Sequence, residues 1–180
     1  MLLSGDNNSR RLTGRENEAR IGSRLHGNHR HDLSAHPCAG LDVQLVLSLG
    51  WGEQNMGELA GEPIVVEFAP QLELLKRAAL CITHAGLNTA LECLSNGVPM
   101  VAIPITNDQP GVAARIEWTG TGEMVSVSKL STTRLRTEVQ RVLGDQRYRD
   151  NAKKLQQAIR SRDSISMAAA LIESALRIRR

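Results

Sequence analysis

The chain has 180 residues, 41% of them hydrophobic and 23% charged, which suits one ordinary globular domain with a sizeable core. Its net charge of +3 is too small to imply a nucleic-acid partner, and its four aromatic residues (Trp51, Phe68, Trp118, Tyr148) are too few for a base-stacking surface. No apolar run reaches the roughly 18 residues of a membrane-spanning helix, the start of the chain has no secretory pattern, and Cys38, Cys81 and Cys93 lack the paired spacing of disulfides or a zinc site.

These exclusions point to a cytoplasmic protein with no metal and no integral membrane segment. In chain order, residues 1–36 stand apart. They hold nine hydrophobic positions, six arginines, four acids and four histidines, with no helical or strand period. Such a composition buries too little apolar surface to offset ordering entropy, so an irregular or disordered segment is expected over 1–37. His26, His29 and His31 sit close together, but without thiolates, carboxylates or a rigid element they read as solvated rather than metal-binding.

From residue 38 the chain alternates strand and helix patterns. Apolar runs at 43–49, 63–68, 80–83, 99–103 and 123–127 predict five strands buried on both faces, as in a parallel sheet. Helical spacing predicts helices over 71–79, 88–95, 109–118, 131–143, 145–162 and 164–179, with Gly97 as a C-cap, Pro110 in a first turn and Ser131 as an N-cap. Leu155, Ile159, Ala168, Leu171, Ile172 and Leu176 are expected to form a packing seam. The cations Lys153, Lys154, Arg160, Arg162, Arg177, Arg179 and Arg180 are expected on a solvated outer face. The alternation implies an α/β fold with a Rossmann-like, doubly wound parallel sheet.

The chemistry concentrates between Phe68 and Gln109. A strand ending at Thr83, a turn containing Gly86 and a helix opening near Asn88 make an anion site, because helix-start amides point outward and the helix dipole favours negative charge. Gly86 lets a phosphate approach the backbone. His84, Asn88 and Thr89 add donors, and Glu92, one turn after Asn88, can accept from ribose hydroxyls. Taken singly, each has a plainer reading: His84 satisfying loop carbonyls, Asn88 a helix cap, Glu92 an exposed helix acid.

The runs Phe-Ala-Pro-Gln (68–71), Thr-His-Ala-Gly-Leu-Asn-Thr (83–89) with Glu92, Gly-Val-Pro-Met (97–100) and Asn-Asp-Gln (107–109) resemble the donor-site signature of UDP-dependent glycosyltransferases of the GT-B fold. Residues 104–123 are particularly similar to those of bacterial zeaxanthin glucosyltransferases and macrolide glycosyltransferases. The resemblance covers residues 38–178. It implies that 38–180 is the C-terminal, UDP-sugar-binding domain, and that Phe68, where Trp is usual, stacks on uracil. It further implies that Gln71 holds base and ribose, Glu92 binds the ribose hydroxyls, His84, Gly86, Asn88 and Thr89 hold the diphosphate, and Asp108 and Gln109 bind the donor sugar. The family uses no metal, so UDP-sugar is a substrate and no cofactor is implied.

The implied activity is transfer of a hexose, glucose foremost, to a hydroxyl of a small lipophilic acceptor. In such enzymes a separate N-terminal domain binds the acceptor and supplies the histidine base. Residues 1–36 match no such domain, and the sheet's first strand, expected before Leu41, is missing from the pattern. The composition break near Cys38 suggests a truncated product or an upstream frame slip, inactive alone. The alternative is a stand-alone UDP-sugar-binding subunit that works with a separate acceptor-domain polypeptide, as in split glycosyltransferases of lipid-linked oligosaccharide synthesis. A generic Rossmann binder is disfavoured, since no G-x-G-x-x-G follows a strand.

Overall fold

The computed structural model of the chain describes residues 2–4, 38, 40–50 and 63–177. Its strands are β1 (Leu2–Ser4), β2 (Val43–Ser48), β3 (Ile64–Val66), β4 (Ala78–Thr83), β5 (Met100–Ala102) and β6 (Gly122–Met124). Its helices are α1 (Gln71–Leu75), α2 (Leu87–Ser95), α3 (Gln109–Trp118), α4 (Thr132–Gly144), α5 (Gln146–Arg160) and α6 (Ser164–Arg177). The strands form one sheet in the order β3-β2-β1-β4-β5-β6. β2 pairs with β3 in parallel, and so do β4 with β5 and β5 with β6, giving the α/β architecture expected of a GT-B C-terminal half.

β1 corrects one expectation. Leu2–Ser4 belongs to a segment read as irregular, yet it lies between β2 and β4, where a missing central strand would leave a gap, and it runs antiparallel to both. The physical reason is the ladder itself. The facing edges of β2 and β4 carry backbone donors and acceptors that must be paired, and three residues suffice where no periodicity window would register them. The rest of 1–37, including His26, His29, His31 and His36, lies outside the described residues, as do Trp51, Arg179 and Arg180.

Strand alternation divides the core between two faces. On one, Cys81, Met100 and Ala102 pack with Ala90 and Cys93 of α2 and Ala113 and Ile116 of α3. On the other, Leu80 and Val101 pack with Leu45, Cys38 and Val139 and Val142 of α4. Complete burial of a side chain such as Leu80 or Met100 stabilises the fold by roughly 1.5–3 kcal/mol. All three cysteines are buried thiols, and burial pushes the Cys38 thiol up from its ordinary value.

Local signals account for several boundaries. α2 ends in a Schellman motif: Gly97, at φ +66°, donates to Leu94 O at 3.0 Å, and Val98 N–H donates to Cys93 O at 2.9 Å. Two helix expectations change. The helix predicted over 71–79 stops at Leu75, because Ala78 and Ala79 join β4, with Ala78 paired to Leu3. Tertiary pairing there overrides local helical spacing. The packing seam predicted along the C-terminal helices is not packed on the described residues. Leu155 is half-buried, whereas on α6 Ile165 is 84% exposed, Leu171 70% and Leu176 63%. Periodicity identifies an apolar face, not the surface that covers it.

Candidate functional site

The carboxyl ends of β4 and β5 lie side by side, since Thr83 is in register with Ala102. Two of the loops that carry the candidate residues therefore leave the sheet from one edge, where open α/β sheets place their ligands. After Thr83 the chain turns sharply. Ala85 is buried at φ 63°, a left-handed conformation uncommon for alanine. Its N–H donates to the buried hydroxyl Oγ1 of Thr83 at 3.2 Å, and Thr83 O accepts from Ile103 N–H at 2.8 Å. These contacts tie the corner to both strands. No sequence signal marked Thr83 or Ala85 for this work, because the buried hydroxyl and the left-handed alanine are evident only once the turn is built.

α2 begins at Leu87 with Gly86 as its N-cap residue and no side chain capping it. The first amide bonded inside the helix is that of Ala90, to Gly86 O at 3.0 Å. The amides of Leu87, Asn88 and Thr89 therefore face out of the helix start, the arrangement that attracts an anion. Asn88 stands in the first turn and is exposed, so the plainer reading of it as the cap does not hold. His84 is exposed beside this helix start, and Thr89 is half-buried.

Gln71 opens α1 and reaches α2. Its Nε2 donates to Glu92 Oε2 at 2.5 Å and to Thr89 Oγ1 at 3.4 Å. Three predicted residues are thus brought into one network, with the Gln71 amide fixing the carboxylate of Glu92. Phe68, between β3 and α1, is 55% exposed. Asp108 and Gln109 open α3 after a turn in which Asn107 has φ 56°. The Gln109 carbonyl oxygen accepts from Ile105 N–H at 2.8 Å and Thr106 N–H at 3.0 Å. Both donors fix its amide orientation, so its NH2 group is the side left for a ligand. Asp108 is exposed.

A second polar cluster lies against α4, outside these loops. The buried Glu138 receives Arg134 Nη2 at 2.8 Å and lies 3.7 Å from Arg141 Nη1. Glu123 lies 3.6 Å from the same guanidinium and accepts from the Tyr148 hydroxyl. Burial, with the hydrogen bond to Glu123 next, pushes the Tyr148 phenol up to about 12. This cluster joins β6, α4 and α5.

The family model for UDP-glucoronosyl and UDP-glucosyl transferases matches residues 45–171. The chain belongs to this family. Among members of the UDP-glucoronosyl and UDP-glucosyl transferase family, zeaxanthin glucosyltransferase of Pseudescherichia vulneris is 37% identical over 146 residues, 79% of this chain and 35% of the relative. The crystal structure of the glycotransferase of kitacinnamycin superposes with a TM-score of 0.72 at 31% identity, over 80% of this chain and 38% of that one. The crystal structure of Os79 from O. sativa in complex with UDP gives a TM-score of 0.61 at 26% identity, over 69% of this chain and 31% of that one. The chain thus spans about 35% of the length of the curated relatives it matches. Among the described residues no helix is long and apolar enough to cross a membrane.

Proposed function

We propose that this chain is the donor-binding half of a glycosyltransferase that moves a hexose, glucose foremost, from a UDP-sugar to a hydroxyl of a small lipophilic acceptor. The observation that carries the proposal is the open start of α2, with His84, Asn88 and Thr89 around it and Glu92 one turn further on, held by Gln71. Diphosphate fits the outward amides, and the carboxylate of Glu92 suits ribose hydroxyls. Phe68 offers an exposed ring for the uracil face, and Asp108 and Gln109 offer an acceptor and a donor to the sugar.

The chemistry is displacement at the anomeric carbon. The bond to the diphosphate oxygen breaks as the acceptor oxygen bonds to carbon, and negative charge grows on UDP. Donors already aimed at that charge, His84 and the first α2 amides, stabilise it without a metal. The base that takes the acceptor proton belongs to an acceptor-binding domain, and none of the residues proposed here fills that role. A reducing, cytoplasmic setting accompanies the proposal and suits three buried thiols.

Calorimetric titration with UDP and UDP-sugars tests this reading. Saturable UDP binding, unaffected by EDTA, is expected. A folded chain that binds neither UDP nor any UDP-sugar overturns it. Transfer by this chain alone is expected to be undetectable. One observation favours a second arrangement, a donor subunit that works with a separate acceptor-domain polypeptide: the apolar side chains of α6 are exposed. Transfer activity that appears only when a relative's acceptor domain is mixed with the chain would support that arrangement.

A further inference from the structure

Gly86 has no backbone reason to be glycine. Its φ of −60° and ψ of 136° are an extended geometry open to any L residue. What it lacks room for is a side chain. A methyl group there would stand 2.6 Å from His84 Nε2, 3.3 Å from His84 Cε1 and 3.4 Å from His84 Cδ2. All three nearest atoms belong to one imidazole, and that imidazole is exposed, so it would swing aside rather than force the backbone to move. The loop beneath is held fast by the Thr83 hydroxyl on Ala85 N–H and by the buried Cβ of Ala85.

We propose that Gly86 is a positioning residue: its missing Cβ is the seat on which the His84 ring lies at the start of α2. The functional consequence rests on the donor-site reading above; the seat itself does not. It stands against the sequence expectation that Gly86 serves by letting phosphate approach its backbone, and the double variant below decides between the two. On the seat model the glycine acts through His84 alone.

The test compares the full chain with its Gly86→Ala, His84→Ala and double variants in three measurements: thermal melting, the imidazole NMR signals, and UDP titration by calorimetry. The His84 signals are assigned by their loss in His84→Ala. Gly86→Ala is expected to melt with its parent and to shift the His84 ring signals. Its UDP affinity should fall by as much as in His84→Ala, roughly ten-fold or more for a hydrogen bond to a charged group. The double variant should lose no more than His84→Ala alone. Unmoved ring signals in Gly86→Ala overturn the proposal, and so does a double variant whose loss is the product of the two single losses. If Gly86→Ala fails to fold, a folded double variant still assigns the clash to the ring, whereas two unfolded variants overturn the seat. A wild-type chain that binds no UDP defeats the donor-site reading and leaves the ring signals to decide the seat.

Discussion

The helices divide by how their N-termini are finished. α4, α5 and α6 close their own first turns with a side chain: Ser131 Oγ accepts from Arg134 N–H at 3.1 Å, Asp145 Oδ1 from Arg147 N–H at 3.0 Å, and Asp163 Oδ1 from Ser166 N–H at 3.1 Å. α1, α2 and α3 have no such cap. The uncapped three directly follow β3, β4 and β5, so they open at the carboxyl edge of the sheet, while the capped three come later in the chain. Where the fold only has to stand, each helix start satisfies one of its own amides with a side chain. Where a ligand is expected, that stabilisation is left unmade. The predictions below test this division.

The largest effect is expected at α2. His84→Ala should weaken UDP binding roughly ten- to a hundred-fold, the value of a hydrogen bond to a charged group of about 1.5–3 kcal/mol, while melting is unchanged because the ring is exposed. Equal affinity in calorimetry would remove His84 from the proposed diphosphate site. Next comes the network behind it. Glu92→Ala should cost UDP about ten-fold by the same reasoning, and Gln71→Leu should cost less, since the carboxylate remains but is no longer held by the amide at 2.5 Å. A Gln71→Leu loss equal to or larger than that of Glu92→Ala would mean that Gln71 also holds base and ribose itself, as the family resemblance implies.

Much of this division can be read from the residues. Ser131 announces its helix, Gly97 ends one, and the strand-turn-helix passage through Thr83, Gly86 and Asn88 marks the open start. Such signals are local: a cap, a left-handed glycine and a change of period each act within one turn of chain. What the residues conceal is long-range. Leu2–Ser4 becomes a strand only because β2 and β4 leave unpaired edges facing it. Arg149 reaches Ala79 O at 3.3 Å and Gln156 reaches Ser95 O at 3.1 Å, pinning α5 across distant elements that no periodicity connects. Gly86 belongs to both classes. Its presence is legible, but the ring it accommodates emerges only when Ala85 turns the chain.

On the capped side the expected effect is on stability rather than binding. Ser131→Ala removes the only side-chain cap of α4 and should destabilise the chain by about 1 kcal/mol. For a domain of this size that is a fall in melting temperature of roughly 2–4 °C. UDP affinity should not change. A Ser131→Ala variant that melts normally yet loses UDP would erase the distinction between the two kinds of helix start.

The smallest effect, and the most selective, concerns Asp145. Its carboxylate is held below the ordinary carboxylate range, first by the Arg147 side chain, with Nη2 at 2.6 Å from Oδ2, and then by the Arg147 backbone N–H. A carboxyl whose pKa is lower folded than unfolded lends stability above its unfolded value, near pH 4, and that contribution disappears as pH falls through the lowered folded value. Asp145→Asn keeps a capping oxygen but cannot ionise. Its melting temperature should therefore decline less steeply than that of the parent as pH falls below about 4, and the two curves should run parallel at neutral pH. UDP affinity at neutral pH should be the same in both, because Asp145 lies outside the proposed donor site. Melting curves with identical acid limbs would show that the Arg147 contact persists in the unfolded chain or forms in neither state. The cap of α5 would then be geometric rather than electrostatic.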